Sequence, residues 1–337
     1  MNGVVFPAEW HPQSGVMVTW PHPDTDWFDM LCEVTECYVS FCKEILKREK
    51  LLVVCPQEDD VVKHFTPEEQ KNLIVSELKS NDTWARDHGA ISVFVNGTPT
   101  LLDFGFNGWG LKFAANFDNQ ITGHLFEQEK FKPEIQYTGK LNFILEGGSI
   151  ESDGNGTLLT TSQCLLAPNR NQPMTQDEID EYLKQSLGAD RILWLNHGYL
   201  AGDDTDSHID TLARFCNEHT IAYVKCDNEN DEHFAELKRM ENELKSFETS
   251  GGKPYRLIPL PMADTVYHNG YRLPATYANF LIINGAVLMP FYHSPKDEEA
   301  KKQLQKAFPD REIIGIDCRP LIKQHGSLHC VTMQFPK

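Results

Sequence analysis

The chain has 337 residues, 40% of them hydrophobic and 24% charged, with a formal net charge of −18. That suits a globular core in one large domain or two ordinary ones, and the scarcity of clustered Lys and Arg argues against nucleic acid and for a cationic partner. No run nears the ~18 apolar residues of a membrane span, the segment from Met1 to Trp10 lacks a leader pattern, and nine cysteines without a CxxC pair point to a reducing cytoplasm and no structural zinc.

Gly15 to Trp20 reads as a strand, ended by Pro21 and Pro23. Trp27, Leu31, Val34, Tyr38, Phe41 and Ile45 recur at helical steps, so an amphipathic helix follows. Cys32, Cys37, Cys42 and Cys55 read as small buried apolar residues. Leu51 to Cys55 is a short buried strand, Thr66 to Glu69 starts a short helix with Thr66 as its cap, and Leu73 to Val75 begins another strand. Ala90 to Val95 and Thr100 to Phe104 flank an Asn96-Gly97 hairpin turn. A helical stretch from Phe117 to Phe131 leads to a strand from Leu141 to Leu145. A second hairpin turns at Asp153 to Gly156. Thr175 and Glu178 form a capping box for a helix that stops at Gly188, and Arg191 to Leu195 is a strand. A third hairpin turns at Asn217-Glu218, and a helix from Phe234 closes at Gly251-Gly252. Tyr255 to Leu260 is a strand, a fourth hairpin turns at Asn284-Gly285, a helix runs from Ser294 to about Phe308, and Glu312 to Ile316 is a strand.

The same unit recurs: polar marker, hairpin, helix, strand. The markers Asp87, Glu146, Asp210, Asn279 and Cys330 are spaced by 59, 64, 69 and 51 residues. Five units of about 60 residues account for the chain. The last lacks a full hairpin and the N-terminal strand lacks a partner, so the two complete each other. The expectation is a single domain over residues 1–337: an α/β propeller of five pseudo-symmetric units closed by the N-terminal strand, with the markers converging on its axis.

The converging set holds a thiol, carboxylates and, in the acidic stretch Gly202 to Asp210, one histidine. A thiolate is the best nucleophile among side chains near neutral pH, and histidine can serve as general acid and then base. Excess carboxylate facing a thiol raises its pKa, an odd design unless the substrate brings positive charge; a guanidinium is planar, cationic and takes paired hydrogen bonds. Each residue also has an ordinary use. Cys330 could be core, His208 structural, Asp87 paired with Arg86, Glu146 part of a turn, and Trp84 packing.

The motifs Pro7-Ala8-Glu9-Trp10, Asn81-Asp82-Thr83-Trp84-Ala85-Arg86-Asp87, Glu146-Gly147-Gly148, Asp204-Thr205-Asp206-Ser207-His208-Ile209-Asp210, Asn284-Gly285-Ala286 and His329-Cys330 together resemble agmatine deiminases of the guanidino-group-modifying superfamily. The resemblance implies a five-unit propeller and hydrolytic deimination without metal or organic cofactor. It implies Cys330 as nucleophile, Asp87 and Asp210 as holders of the guanidinium, and His208 as acid and base beside Glu146. The product from agmatine would be N-carbamoylputrescine, a step toward putrescine and polyamine biosynthesis. Trp84 and Asp204 are expected to line the pocket near the substrate tail. Ser207, where relatives carry glycine, and the run His325-Gly326-Ser327-Leu328-His329 depart from the family pattern.

Three other readings stay open. The substrate could be peptidyl or free arginine. Asp203, Asp204, Asp206, His208 and Asp210 could ligate a metal in a hydrolase. The chain could bind cationic ligands without catalysis. The expected partner is a small guanidino cation, not nucleic acid or a membrane; a homo-oligomer is left open.

Overall fold

The computed structural model describes residues 3–337, so Met1 and Asn2, the start of the segment read for a leader, lie outside the described residues. Five sheets repeat one connection: two antiparallel strands, a helical crossover, and a third strand parallel to the second. In the first, Ile91–Val95 pairs antiparallel with Thr98–Gly105, and Gln136–Ile144 joins in parallel. The second uses Ile150–Ser152, Thr157–Thr161 and Arg191–Leu195. The third uses Ala213–Asn217, Thr220–Lys225 and Arg256–Pro261. The fourth uses Leu281–Ile283, Ala286–Phe291 and Glu312–Asp317.

The fifth sheet joins the two ends of the chain. Met333–Pro336 pairs antiparallel with Gln13–Thr19, with Met333 opposite Met17 and Phe335 opposite Gly15. Lys50–Cys55 and Leu73–Glu77 extend it in parallel. The two incomplete units thus complete each other as expected. The five sheets are separate, with a small hairpin, Tyr267–His268 and Tyr271–Arg272, beside them; no single closed sheet forms among the described residues. The architecture is mixed α/β.

Parallel strands need their faces covered, and amphipathic helices do this. The helix Leu31–Leu46 buries Val34, Tyr38, Phe41 and Ile45, the face its periodicity marked. Burying each of these side chains contributes roughly 1.5–3 kcal/mol. The helix Gln176–Leu187 starts on the Thr175–Glu178 capping box, whose Thr175 N–H donates to Glu178 Oε2 at 2.7 Å. It ends where Gly188 adopts φ 69°, a left-handed position that a Cβ disfavours.

Several boundaries differ from the sequence reading. The strand expected from Leu141 begins at Gln136, because pairing with Thr100 to Phe104 overrides its polar composition. The helix from Phe234 ends at Ser246, where Phe247 turns extended, well before Gly251. The third hairpin turns one residue later, because a bulge at Asn217 shifts the register. The helical stretch near Phe117 shrinks to a 3-10 turn and Ile121–Glu127. Cys32 is exposed, because it lies on the outer face of its helix, whereas Cys37, Cys42 and Cys55 are buried. No helix of the described residues is long and apolar enough to cross a membrane.

Candidate active site

The five markers occupy one structural position: each lies just ahead of the first strand of its sheet. Asp87 is in the short helix Ala85–His88, Glu146 precedes the 3-10 turn Gly147–Ser149, and Asp210 lies in the 3-10 turn Ile209–Thr211. Asn279 and Cys330 lead into Leu281–Ile283 and Met333–Pro336. All five are buried. The repeat therefore brings residues from five distant segments to a common centre.

Cys330 Sγ lies 3.3 Å from Asn279 Oδ1 and 4.0 Å from Asp210 Oδ2. The same Asn279 oxygen accepts from the backbone N–H of His329 at 2.9 Å, which fixes the turn carrying the thiol. Burial, then the charges of Asp210 and Asp87, push the Cys330 thiol well above its ordinary pKa. These surroundings favour the thiol, and a cation placed between the carboxylates would favour the thiolate.

Asp87 is held by two donors. Gly148 N–H meets Oδ1 at 3.0 Å, and Trp109 Nε1–H meets Oδ2 at 3.0 Å. Burial still raises its pKa to about 6, with Asp210 and Glu146 adding to the rise and His208 opposing it. Asp210 Oδ2 lies 2.7 Å from His329 Nδ1, while Oδ1 is buried with no partner among the described residues. Burial works against the Asp210 charge, but His329, His208 and Arg214 hold its pKa below the usual range.

His208 Nδ1 is 3.7 Å from Asp87 Oδ1, and its Nε2 is buried without a hydrogen-bond partner among the described residues. Burial disfavours its charge, yet Asp87, Cys164 and Glu146 outweigh that and raise its pKa well above the ordinary value. The loop before it is folded on Asp203, whose carboxylate accepts from Thr205 Oγ1 at 2.6 Å and Ser207 N–H at 2.7 Å. Ser207 has φ 62°, a left-handed conformation that glycine adopts most readily. Gly148 is where three of these groups meet. A Cβ on it would stand 2.6 Å from His208 Nδ1, 2.8 Å from Asp87 Oδ1 and 3.1 Å from Asp210 Oδ2.

Above Cys330 and Asp87 opens a cleft of about 650 Å3. Trp84, Trp109, Phe113 and Asp204 are in its walls. Its lining has seven aspartates against one lysine and no arginine. Trp84 Nε1–H is tied to Asp82 Oδ2 at 2.9 Å.

The sequence reading missed four neighbours. Arg170 Nε donates to Glu146 Oε1 at 3.0 Å and its Nη1 to Asp206 Oδ2 at 2.7 Å, so it clamps the floor of the site. Trp109, Cys164 and Glu9 were also given no role. Only Glu9 had a signal, its place in the Pro7 to Trp10 motif. Arg86 does not pair with Asp87; its Nη2 approaches Glu9 at 3.9 Å, because the short helix turns the two side chains apart.

The acidic stretch does not form the ligand set of a metal hydrolase. Asp203 caps its own loop, Asp206 pairs with Arg170 and Lys112, and Asp210 serves His329. Groups of three metal-type ligands do converge among the described residues at Glu146, Cys164 and His208, and at Glu9, Glu151 and His329. Of the five residues expected, only His208 belongs to one. Both groups already hold a guanidinium, on Glu146 and on Glu9.

A fold of this type, with a buried thiol, histidine and carboxylates under an acidic cleft, is suited to covalent chemistry on a cationic carbon. Residues 5–336 match the family described as Porphyromonas-type peptidyl-arginine deiminase, and the chain belongs to it. Agmatine deiminase from Pseudomonas putida is 31% identical, covering 99% of this chain and 96% of its own length. A solved structure from Porphyromonas gingivalis, provisionally designated an arginine deiminase, is 55% identical with TM-score 0.96 over 99% of this chain and 98% of that one. A cysteine-to-serine variant of C. jejuni agmatine deiminase with substrate bound is 42% identical with TM-score 0.92 over 99% and 96%.

Proposed function

We propose that this chain hydrolyses agmatine to N-carbamoylputrescine and ammonia through a covalent intermediate on Cys330. The observation that carries the reading is the thiol of Cys330 set at the base of an acidic cleft between Asp87 and Asp210, with one Asp210 oxygen left unpaired. An unpaired buried carboxylate oxygen calls for a donor, and a guanidinium supplies several in one plane.

In this scheme Asp87 and Asp210 accept N–H groups of the guanidinium and keep its carbon electrophilic. The substrate's charge offsets theirs and lets Cys330 lose its proton to solvent, where the ammonia released later takes up a proton. Sγ attacks the central carbon, forming the C–S bond. His208 gives its proton to one amino group, which leaves as ammonia when the C–N bond breaks. The remaining amidino thioether is attacked by water, whose proton passes to His208. Collapse breaks the C–S bond as the remaining hydroxyl proton passes to the departing sulfur, returning the Cys330 thiol and leaving a ureido group. Glu146, braced by Arg170, orients His208. Trp84 and Asp204 meet the tail.

The tail argues for agmatine over arginine. Arginine would bring a carboxylate into a cleft lined by seven aspartates and one lysine, whereas the agmatine tail ends in an ammonium. The five units are inferred to form one domain over residues 1–337, arranged as a pseudo-symmetric propeller around the site. Nine free cysteines fit a reducing cytoplasm.

The test is ammonia and ureido-product release from agmatine, arginine and a peptide ending in arginine, with Cys330→Ala alongside. Agmatine turnover abolished in the variant is the expected result. Turnover of arginine or the peptide instead would keep the chemistry and change the substrate. Turnover surviving in Cys330→Ala would remove Cys330 as nucleophile. Agmatine binding without ammonia release would make the chain a binder.

A further inference from the structure

Behind Asp210 lies a buried group of charges that the reaction scheme does not use. His329 immediately precedes Cys330, and its ring bridges two carboxylates. Nδ1 lies 2.7 Å from Asp210 Oδ2, and Nε2 lies 2.7 Å from Glu9 Oε2. Arg214 Nη2 is shared between the far partners, 2.7 Å from Glu9 Oε2 and 3.0 Å from His329 Nε2. Arg214 is itself fixed, donating from Nη1 to the Phe280 carbonyl at 2.6 Å and from Nε to Glu151. The side chains of His329, Arg214 and Asp210 are at most 1% exposed.

Among the described residues, His329 is the one side-chain group at ordinary hydrogen-bond distance from the Asp210 carboxylate. A carboxylate held through one oxygen has its other oxygen aimed. Here Oδ2 is occupied and is also the oxygen 4.0 Å from Cys330 Sγ, while Oδ1 has no partner among the described residues, so the His329 contact fixes how the carboxylate is presented beside the thiol. Each ring nitrogen faces a carboxylate, Nδ1 that of Asp210 and Nε2 that of Glu9, so the doubly protonated ring donates to both; in the neutral ring with its proton on Nδ1, Asp210 Oδ2 still receives an N–H while Nε2 accepts from Arg214. Glu9 is in turn fixed across the seam of the fold, since its Oε1 accepts the backbone N–H of Ile282 at 2.7 Å.

We propose that His329 is a positioning residue that aims Asp210 at the substrate, and that Glu9 and Arg214 hold His329 for this purpose. The proposal rests on the role given to Asp210 above. It also assigns a task to the N-terminal segment: Glu9 reaches the site through the ring of the residue next to the nucleophile.

Asparagine and glutamine separate the two sides of the ring. Asn at position 329 offers an N–H about where Nδ1 stands, and Gln about where Nε2 stands. His329→Gln is expected to raise KM for agmatine and lower kcat/KM by about 100-fold, as a displaced binding group does. His329→Asn is expected to keep kcat/KM at least about tenfold above the Gln variant, because the charged hydrogen bond is retained. In an Asp210→Asn background, His329→Gln should add little, since the two residues act as one unit. Equal losses in the Asn and Gln variants, or independent losses in the double variant, would overturn the proposal. Asp210→Asn with wild-type kcat/KM would instead sink the underlying reading of the site. An impaired Asp210→Asn beside an unimpaired His329→Gln would sink the positioning role alone. If thermal melts show that His329→Gln does not fold, Glu9→Gln is the second variant: KM should rise with kcat/KM down about tenfold, and unchanged kinetics would overturn the proposal.

Discussion

Replacing Trp109 with Phe removes one hydrogen bond and little else. The indole N–H meets Asp87 Oδ2 at 3.0 Å, while the ring packs on Phe106 at 5.1 Å and Phe113 at 5.6 Å, contacts that Phe can largely keep. Asp87 is buried with a pKa of about 6, and the Trp109 bond is one of the influences holding it down. A hydrogen bond to a charged group contributes about 1.5–3 kcal/mol. At 1.36 kcal/mol per unit, its loss raises the Asp87 pKa by roughly 1–2 units. In the proposed scheme Asp87 must be ionised to hold the guanidinium, so activity is expected above its pKa and is lost as pH falls through it. The acid limb of kcat/KM for agmatine should therefore move to higher pH in Trp109→Phe. Ammonia release measured from pH 5 to 9 in both proteins gives the two limbs. An unmoved limb with unchanged kcat/KM would refute the argument that Trp109 tunes Asp87 and that Asp87 must be charged.

Three further outcomes follow from the same geometry. Gly148→Ala drives a methyl against His208, Asp87 and Asp210, and kcat/KM should fall by about 100-fold; a variant with wild-type kinetics would mean that these groups need not be held so closely. Arg170→Ala leaves Glu146 buried without its partner, and chemical denaturation should show a loss of about 3–5 kcal/mol; an unchanged midpoint would mean that Glu146 takes up a proton instead. Because burial and two carboxylates raise the Cys330 pKa well above 9, inactivation of the ligand-free protein by iodoacetamide should keep accelerating up to pH 9. A plateau near pH 7, absent in Cys330→Ala, would show a thiolate already formed.

Much of this protein was legible in its sequence because local rules act at the spacing at which the chain repeats. Hydrophobic periodicity marked the buried face of Leu31–Leu46, the Thr175–Glu178 box and Gly188 bounded a helix, and Asn96-Gly97 and Asn284-Gly285 placed two hairpin turns. The recurring marker at Asp87, Glu146, Asp210, Asn279 and Cys330 fixed where each unit begins, and the unpaired strands at the two ends implied their pairing, seen at Met333 and Met17. Tertiary structure alone decided what each marker touches. The strand at Gln136 exists because a neighbouring strand offers its hydrogen bonds, a fact invisible in its polar residues. The acidic stretch looked like one cluster, but its loop sends Asp203, Asp206 and Asp210 to three different partners. Arg170, Trp109 and Glu9 reach the site from segments with no local periodicity to announce them, because a buried charge or hydrogen-bonding group is satisfied by whatever the fold brings near, not by its neighbours in sequence.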